Sequence, residues 1–203
     1  MSTKLPFSCL ILVAVVMAWS MIDPYDWPTW IMETLPVWIA AAILIPTRRK
    51  FPLTNLAYVL IAIHSVILIV GAHYTYARVP LFDWIRDALG TERNSYDGLG
   101  HLAQGFIPAL IGRELLIRTS DLQRGKWMFA LIVLSCLGIS AIYELIEWGA
   151  AVAAGGGAVE FLGTQGDPWD TQKDMGLAGI GAALSLLILS KFHDRELNKL
   201  TPR

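Results

Sequence analysis

Three short stretches concentrate the residues able to do chemistry. In "NSYDGLGHLAQG", Asp97 and His101 stand four apart and Gln104 follows three later. In "SAIYELIEWGA", Glu144 and Glu147 are three apart. In "GTQGDPWDTQKDMG", Asp170 and Asp174 are four apart, with Gln165, Asp167 and Lys173 close by. Spacings of three and four put each pair on one face of a helix. Carboxylates with one or two imidazoles form an oxygen-rich ligand set that suits Zn, Mn, Fe or Mg. A carboxylate left uncoordinated beside such an ion could serve as a general base. His101, Glu144, Asp170 and Asp174 are therefore the expected metal ligands, and Glu147 and Asp97 the expected catalytic acid–base groups. Asp167, Gln104, Gln165, His73 and Arg93 are further candidates for the same site.

The elements that must position these residues are membrane helices. The chain has 203 residues, 55% of them hydrophobic and only 16% charged. Soluble domains carry about 25% charged residues. A bilayer core about 30 Å thick needs roughly 20 apolar residues in a helix. Six segments qualify, near 5–22, 30–46, 53–76, 96–117, 127–149 and 174–191. The second is interrupted by Pro36, which membrane helices tolerate and which leaves room for a tilted or irregular span. The predicted fold is an all-α polytopic bundle, a single integral membrane domain over residues 1–203. "AAVAAGGGA" after the fifth span reads as a Gly/Ala loop. Ala18 and Ser20 would also suit a signal cleavage site, but the multi-span pattern favours a retained first helix.

Lys and Arg orient the spans. Alternate ends hold eleven on one side, among them Arg48, Arg49, Lys50, Arg124 and Arg203, and four on the other: Arg78, Arg86, Arg93 and Lys173. The positive-inside bias places the first side, and both termini, in the cytoplasm. The three acidic stretches then share the outer leaflet. At 1.5 Å per residue, His101 and Glu144 each lie about 7 Å inside their helix ends and so sit level. Trp27, Trp30, Trp84, Trp148 and Trp169 fall near the same interface, where aromatic residues collect. "PLFDWIRDALG" reads as a short amphipathic helix from Pro80 to Gly90 that lies on the membrane surface or roofs the bundle.

Carboxylates at membrane depth are costly. Two of them about 4 Å apart repel by about 4 kcal/mol at an effective dielectric of 20. Six acids converging on few bases would need protons, partners or a divalent cation. A purely structural account covers some of them. Asp97 and Asp174 would complement helix dipoles, and Asp170 or Thr171 would serve as an N-cap. Elsewhere the structural reading dominates. Mid-span His64 is expected to be satisfied by an interhelical hydrogen bond. His193 is expected to be solvated in the cytoplasmic tail. Arg113 and Glu114 are expected to snorkel, with Glu114 and Arg118 as an ordinary i,i+4 pair. Cys9 and Cys136 read as small apolar residues. No protease, hydrolase or nucleotide-binding signature is present, and no basic tract suggests nucleic acid.

The runs "ERNSYDGLGHLAQGFIPALIGRELL", "SAIYELIEW" and "FLGTQGDPWDTQKDM" resemble the YjdF family of small bacterial inner-membrane proteins. The likeness covers the chain from about His73 to the end of the sixth span. It implies an inner-membrane location and brings no reaction, since the family's function is unknown. The order Asp-x-x-x-His, acids, Asp-x-x-x-Asp is more loosely similar to VanZ-like membrane proteins, linked to teicoplanin-type glycopeptide resistance. That likeness implies action at the outer leaflet or envelope.

The expected function is a metal-dependent hydrolase acting on a lipid or envelope precursor, with membrane lipids as its surroundings. Two other classes fit the same residues: a proton- or ion-coupled transporter, and a non-catalytic protein stapled by a metal or hydrogen bonds. The sequence leaves substrate, metal and oligomeric state open. A reporter fused after Arg203 is expected to be active only in its cytoplasmic form. A periplasmic signal there would overturn the topology and the shared leaflet with it.

Overall fold

The computed structural model describes residues 4–154 and 165–200. Seven α-helices stand among them: α1 (Lys4–Ser20), α2 (Trp27–Thr47), α3 (Asn55–Tyr74), α4 (Pro80–Leu89), α5 (Tyr96–Thr119), α6 (Lys126–Ala154) and α7 (Asp170–Leu200). A 3-10 turn, Tyr76–Arg78, links α3 to α4. Helices α2, α3, α6 and α7 are long and apolar enough to cross a membrane, and α1 is a shorter apolar helix. α5 is less apolar because Asp97, His101, Arg113, Glu114 and Arg118 lie along it. It needs little lipid-facing surface, since α3, α6 and α7 all pack on it.

Several expectations shift. α2 runs unbroken through Pro36 and Pro46. α6 continues to Ala154, so 150–154 of the expected loop is helix, and 155–158 lies outside the described residues. α7 starts at Asp170 and extends to Leu200, well past the predicted end at 191. Its 31 residues measure about 46 Å at 1.5 Å each, longer than the bilayer core. Trp30 is not an interfacial anchor: it is buried, and its indole N–H donates to Ser20 Oγ at 3.1 Å. α4 forms where its amphipathic pattern lies. Leu81 and Trp84 are exposed on it, and Gly90 caps it at φ 66°.

The molecule is apolar outside and polar within. Val15, Ile31, Leu134, Leu145 and Leu187 are exposed, whereas Thr34, Glu114, Ser140, Ser185 and His193 are fully buried. Lipid tails offer helices no hydrophobic reason to associate, so close packing of small residues and interhelical hydrogen bonds must hold them. The α5–α7 contact is the most extensive in the structure. A Cβ on Gly105 would stand 1.8 Å from the Ala178 carbonyl oxygen, and one on Gly181 would stand 2.2 Å from that of Leu102. Ala109, Ala178 and Ala182 complete this seam with no exposed surface. Residues 101, 105 and 114 of α5 meet 174, 178 and 193 of α7, so the two helices run parallel.

At the end of that pair away from the acidic cluster, Glu114 is the hub. It accepts from the Thr54 backbone N–H (2.9 Å), the Thr54 hydroxyl (2.7 Å) and Arg118 (2.8 Å). His193 is no solvated tail residue, because the extended α7 carries it into the bundle, fully buried. Its Nδ1 faces Arg113 Nη1 at 2.9 Å and its Nε2 faces Glu114 Oε2 at 3.0 Å. Arginine can only donate, so Nδ1 accepts and the proton sits on Nε2, which donates to Glu114. Arg113 also donates to Asp194 at 2.7 Å. Arg113 and Glu114 thus form a packed polar network in place of snorkelling side chains.

Forcing a side chain between packed backbones costs about 1–3 kcal/mol. Gly105→Ala is expected to lose at least that much, read as a lower thermal midpoint. Gly112→Ala, on the same helix where a Cβ meets nothing within 4 Å, should leave the midpoint unchanged or raised. Equal effects would remove the special role of the α5–α7 seam.

Candidate metal and polar site at the acidic end

The parallel run of α5 and α7 brings two helix N-termini together, and the acids lie there. Asp97 occupies the first turn of α5 and Asp170 the first turn of α7. Asp97, His101 and Asp174 each offer one ligand atom, and these atoms all lie within 4.8 Å of one another. His101 and Asp174 are each 5% exposed. α6 adds Glu144, whose Oε1 lies 3.4 Å from His101 Nε2. Asp97 Oδ1 is 3.6 Å from the same nitrogen. Glu144 Oε2 accepts from the Thr171 hydroxyl at 2.9 Å, which ties α6 to α7.

Asp170, expected as a ligand, is taken by a base: Arg93 Nη1 stands 2.5 Å from its Oδ1 and 3.1 Å from Asp167 Oδ2. Asp167 also pairs with Lys173 and accepts from the Trp169 backbone N–H. Lys173 holds the Asp167 carboxyl below the ordinary carboxylate range. This pair of acids is therefore a pinned loop wall beside the cluster. Gln165 does not reach the cluster: its side chain clamps the Asn94 backbone, accepting from N–H at 2.9 Å and donating to the carbonyl at 3.0 Å. Asn94, fully buried, extends that clamp to the Val79 carbonyl and Asp83. His73 is also elsewhere. Its Nδ1 donates to the Ser20 carbonyl at 3.1 Å, and its ring lies 4.4 Å from that of Trp19.

Behind the cluster a cavity of about 190 Å³ opens into the bundle. Asp97, His101 and Gln104 line it from α5, Glu147 and Tyr143 from α6, and Glu33 from α2. Tyr143 donates to Glu33 Oε2 at 2.7 Å. Tyr76 also faces it, its ring filling space that Gly71 and Gly100 leave by lacking side chains. His64 forms the inner wall. The expected interhelical hydrogen bond is missing, as His64 Nε2 is buried with no partner among the described residues. His101 Nδ1 is in the same state. Glu33, Tyr76 and Tyr143 were not among the sequence candidates. Glu33 left a signal, a lone carboxylate one turn and a half into an apolar helix, which by default marks function. The tyrosines left none.

Removing one partner of a buried ion pair costs about 3 kcal/mol or more. Arg93→Gln is expected to destabilise by about that amount, because Asp170 is 4% exposed and would be left buried without its partner. Arg93→Gln combined with Asp170→Asn should recover part of the loss in a denaturation series. A double variant no better than Arg93→Gln would show that the pair does not anchor the wall.

The comparisons agree with a membrane protein. The family model described as "Predicted membrane protein (DUF2238)" matches residues 5–195. The chain is 46% identical over 187 residues to the inner membrane protein YjdF of Escherichia coli (strain K12), covering 92% of this chain and 90% of the relative. No solved structure matches.

Proposed function

Because this chain belongs to the DUF2238 family of predicted membrane proteins, we propose that it is an inner-membrane hydrolase whose acidic end binds a divalent cation and opens to the outer leaflet. The substrate class is a lipid head group or a lipid-linked envelope precursor. In this reading α1 and α5 cross the bilayer together with the other four long helices, and both termini are cytoplasmic. The inner-membrane relative and the lopsided Lys and Arg count support that placement.

One observation carries the reading: the mutual approach of Asp97, His101 and Asp174 within 4.8 Å. Two aspartates and a histidine at that spacing match the donor set of Zn²⁺, Mn²⁺ or Fe²⁺. The charge balance points the same way. Among the described residues, the ion pairs that reach Asp97 and Glu144 come from His101 alone, and Arg93 and Lys173 are committed to Asp167 and Asp170. A divalent cation offsets repulsion that the protein's own bases leave in place. His101 would bind it through Nε2, and Asp97 and Asp174 through carboxylate oxygens. The cation would supply an acidified water and polarise a phosphoryl or carbonyl oxygen. Glu144, beside His101 and held by Thr171, would act as the general base toward that water, and Glu147 would line the cavity that holds the leaving portion. Without a cation the same residues make a proton-carrying cluster. The orphaned His64 Nε2 on the inner wall favours that second reading.

Elemental analysis of purified protein separates the two. About one equivalent of Zn, Mn or Fe is expected. Chelation should lower the melting midpoint, since a ligand at a hundredfold excess over Kd stabilises by about 2.7 kcal/mol. Asp174→Asn should weaken the ion and shrink the chelator effect. Absence of stoichiometric metal, with no response of melting to chelator or added Zn²⁺, Mn²⁺ or Mg²⁺, ends the metal reading and promotes the proton carrier.

A further inference from the structure

The cavity behind the cluster has its own chemistry. Its wall carries Glu33, Glu147 and Asp97, and it carries no Lys or Arg. Glu33 is 7% exposed, and its hydrogen-bond partner on the wall is a neutral phenol, Tyr143. His101, 5% exposed, and His64 also line this space, and among the described residues His101 Nδ1 and His64 Nε2 are buried without a hydrogen-bond partner. Three acids whose basic neighbours on the wall are imidazoles alone describe a receptor for a group that is cationic and rich in donors. An ammonium brings three donors and no acceptor, and Tyr76 and Tyr143 line the same space. The volume of about 190 Å³ equals roughly six waters at about 30 Å³ each. That is room for a small head group and too little for a saccharide chain.

The route in is lateral. α2 packs on α3, and α6 packs on α5 and α7, but among the described residues α2 and α6 share no extensive contact. The Tyr143–Glu33 hydrogen bond spans the gap between them. Ile139 lines the cavity from α6 and is at the same time 49% exposed on the outer, apolar surface. The polar chamber therefore adjoins the lipid-facing surface along the α2–α6 seam. Asp97 and His101 belong both to this chamber and to the three-residue cluster. A ligand with an anionic group at the cluster and a cationic group a few atoms away would fill both.

We propose that the α2–α6 cleft admits an ammonium-bearing phospholipid from the outer leaflet. Its ammonium sits among Glu33, Glu147 and the tyrosines, and its phosphate faces the Asp97–His101–Asp174 cluster. The phosphate half rests on the cation reading above; the ammonium half stands on the cavity alone.

The test uses the full chain in detergent and short-chain phosphatidylethanolamine against phosphatidylglycerol of equal chain length, each titrated with and without Mn²⁺. Phosphatidylethanolamine is expected to bind at least tenfold tighter, about 1.4 kcal/mol. Glu33→Gln with Glu147→Gln should abolish that preference while leaving Mn²⁺ binding in place. If the double variant does not fold, Glu147→Gln alone should cut the preference severalfold. Equal binding of the two lipids, or a preference that survives these substitutions, overturns the proposal and leaves the cation reading standing. No Mn²⁺ binding by the unsubstituted chain, with its lipid preference present, overturns the cation reading alone. Soluble phosphoethanolamine is the last arm: binding as tight as that of the lipid would show that a free metabolite, and not a bilayer lipid, is the ligand.

Discussion

The parallel contact of α5 and α7 is the constraint on which the rest depends. Backbone meets backbone where Gly105 faces Ala178 and Gly181 faces Leu102, and no residue larger than glycine fits at either point. That contact sets the register along both helices. Because they run the same way, their N-termini lie side by side, and so do their C-terminal halves. Two positive dipole ends then face one region, which favours the carboxylates gathered there. Asp97 and His101 meet Asp174 at that end, and Arg113 and Glu114 meet His193 at the other. A shift of one residue along the seam would separate both groups.

The two polar layers differ in balance, and the difference suggests their roles. Glu114 is surrounded by donors from Thr54, Arg118 and His193, and Arg113 is shared between His193 and Asp194. Acids and bases there face one another in pairs, as a structural network in a low-dielectric interior requires. The acidic end is not closed in this way. Arg93 and Lys173 satisfy only its outer wall, leaving Asp97, Glu144 and Asp174 around His101, with His64 Nε2 and His101 Nδ1 unpartnered among the described residues. A membrane protein holds such an imbalance at a cost, and a bound cation or ligand is the direct way to remove it.

Much of this was legible in the chain because it depends on local order. Long apolar runs locate the helices, since lipid requires every backbone group to be satisfied within its own segment. Spacings of three and four mark the acidic faces, and Pro80 and Gly90 bound α4. Less legible were features that depend on neighbours. Nothing local says that α7 runs past residue 191, which is why His193 reads as a tail residue while it is the buried centre of a network. Nothing local says that Arg93 takes Asp170, a pairing across 77 positions, or that Tyr143 reaches Glu33 across 110.

By itself, then, the sequence determined the membrane class, the helical segments and the residue types available at each helix end. These follow from hydrophobicity and from the period of one chain segment, and both are properties of neighbours in sequence. The tertiary structure alone decided which acids are paired and which are left over, and that residues of α2, α3, α5 and α6 line one chamber. Those outcomes are set by how closely two backbones approach. That distance depends on small residues on helices whose facing positions are 73 and 79 apart in sequence, a relation between segments that no single stretch of sequence contains.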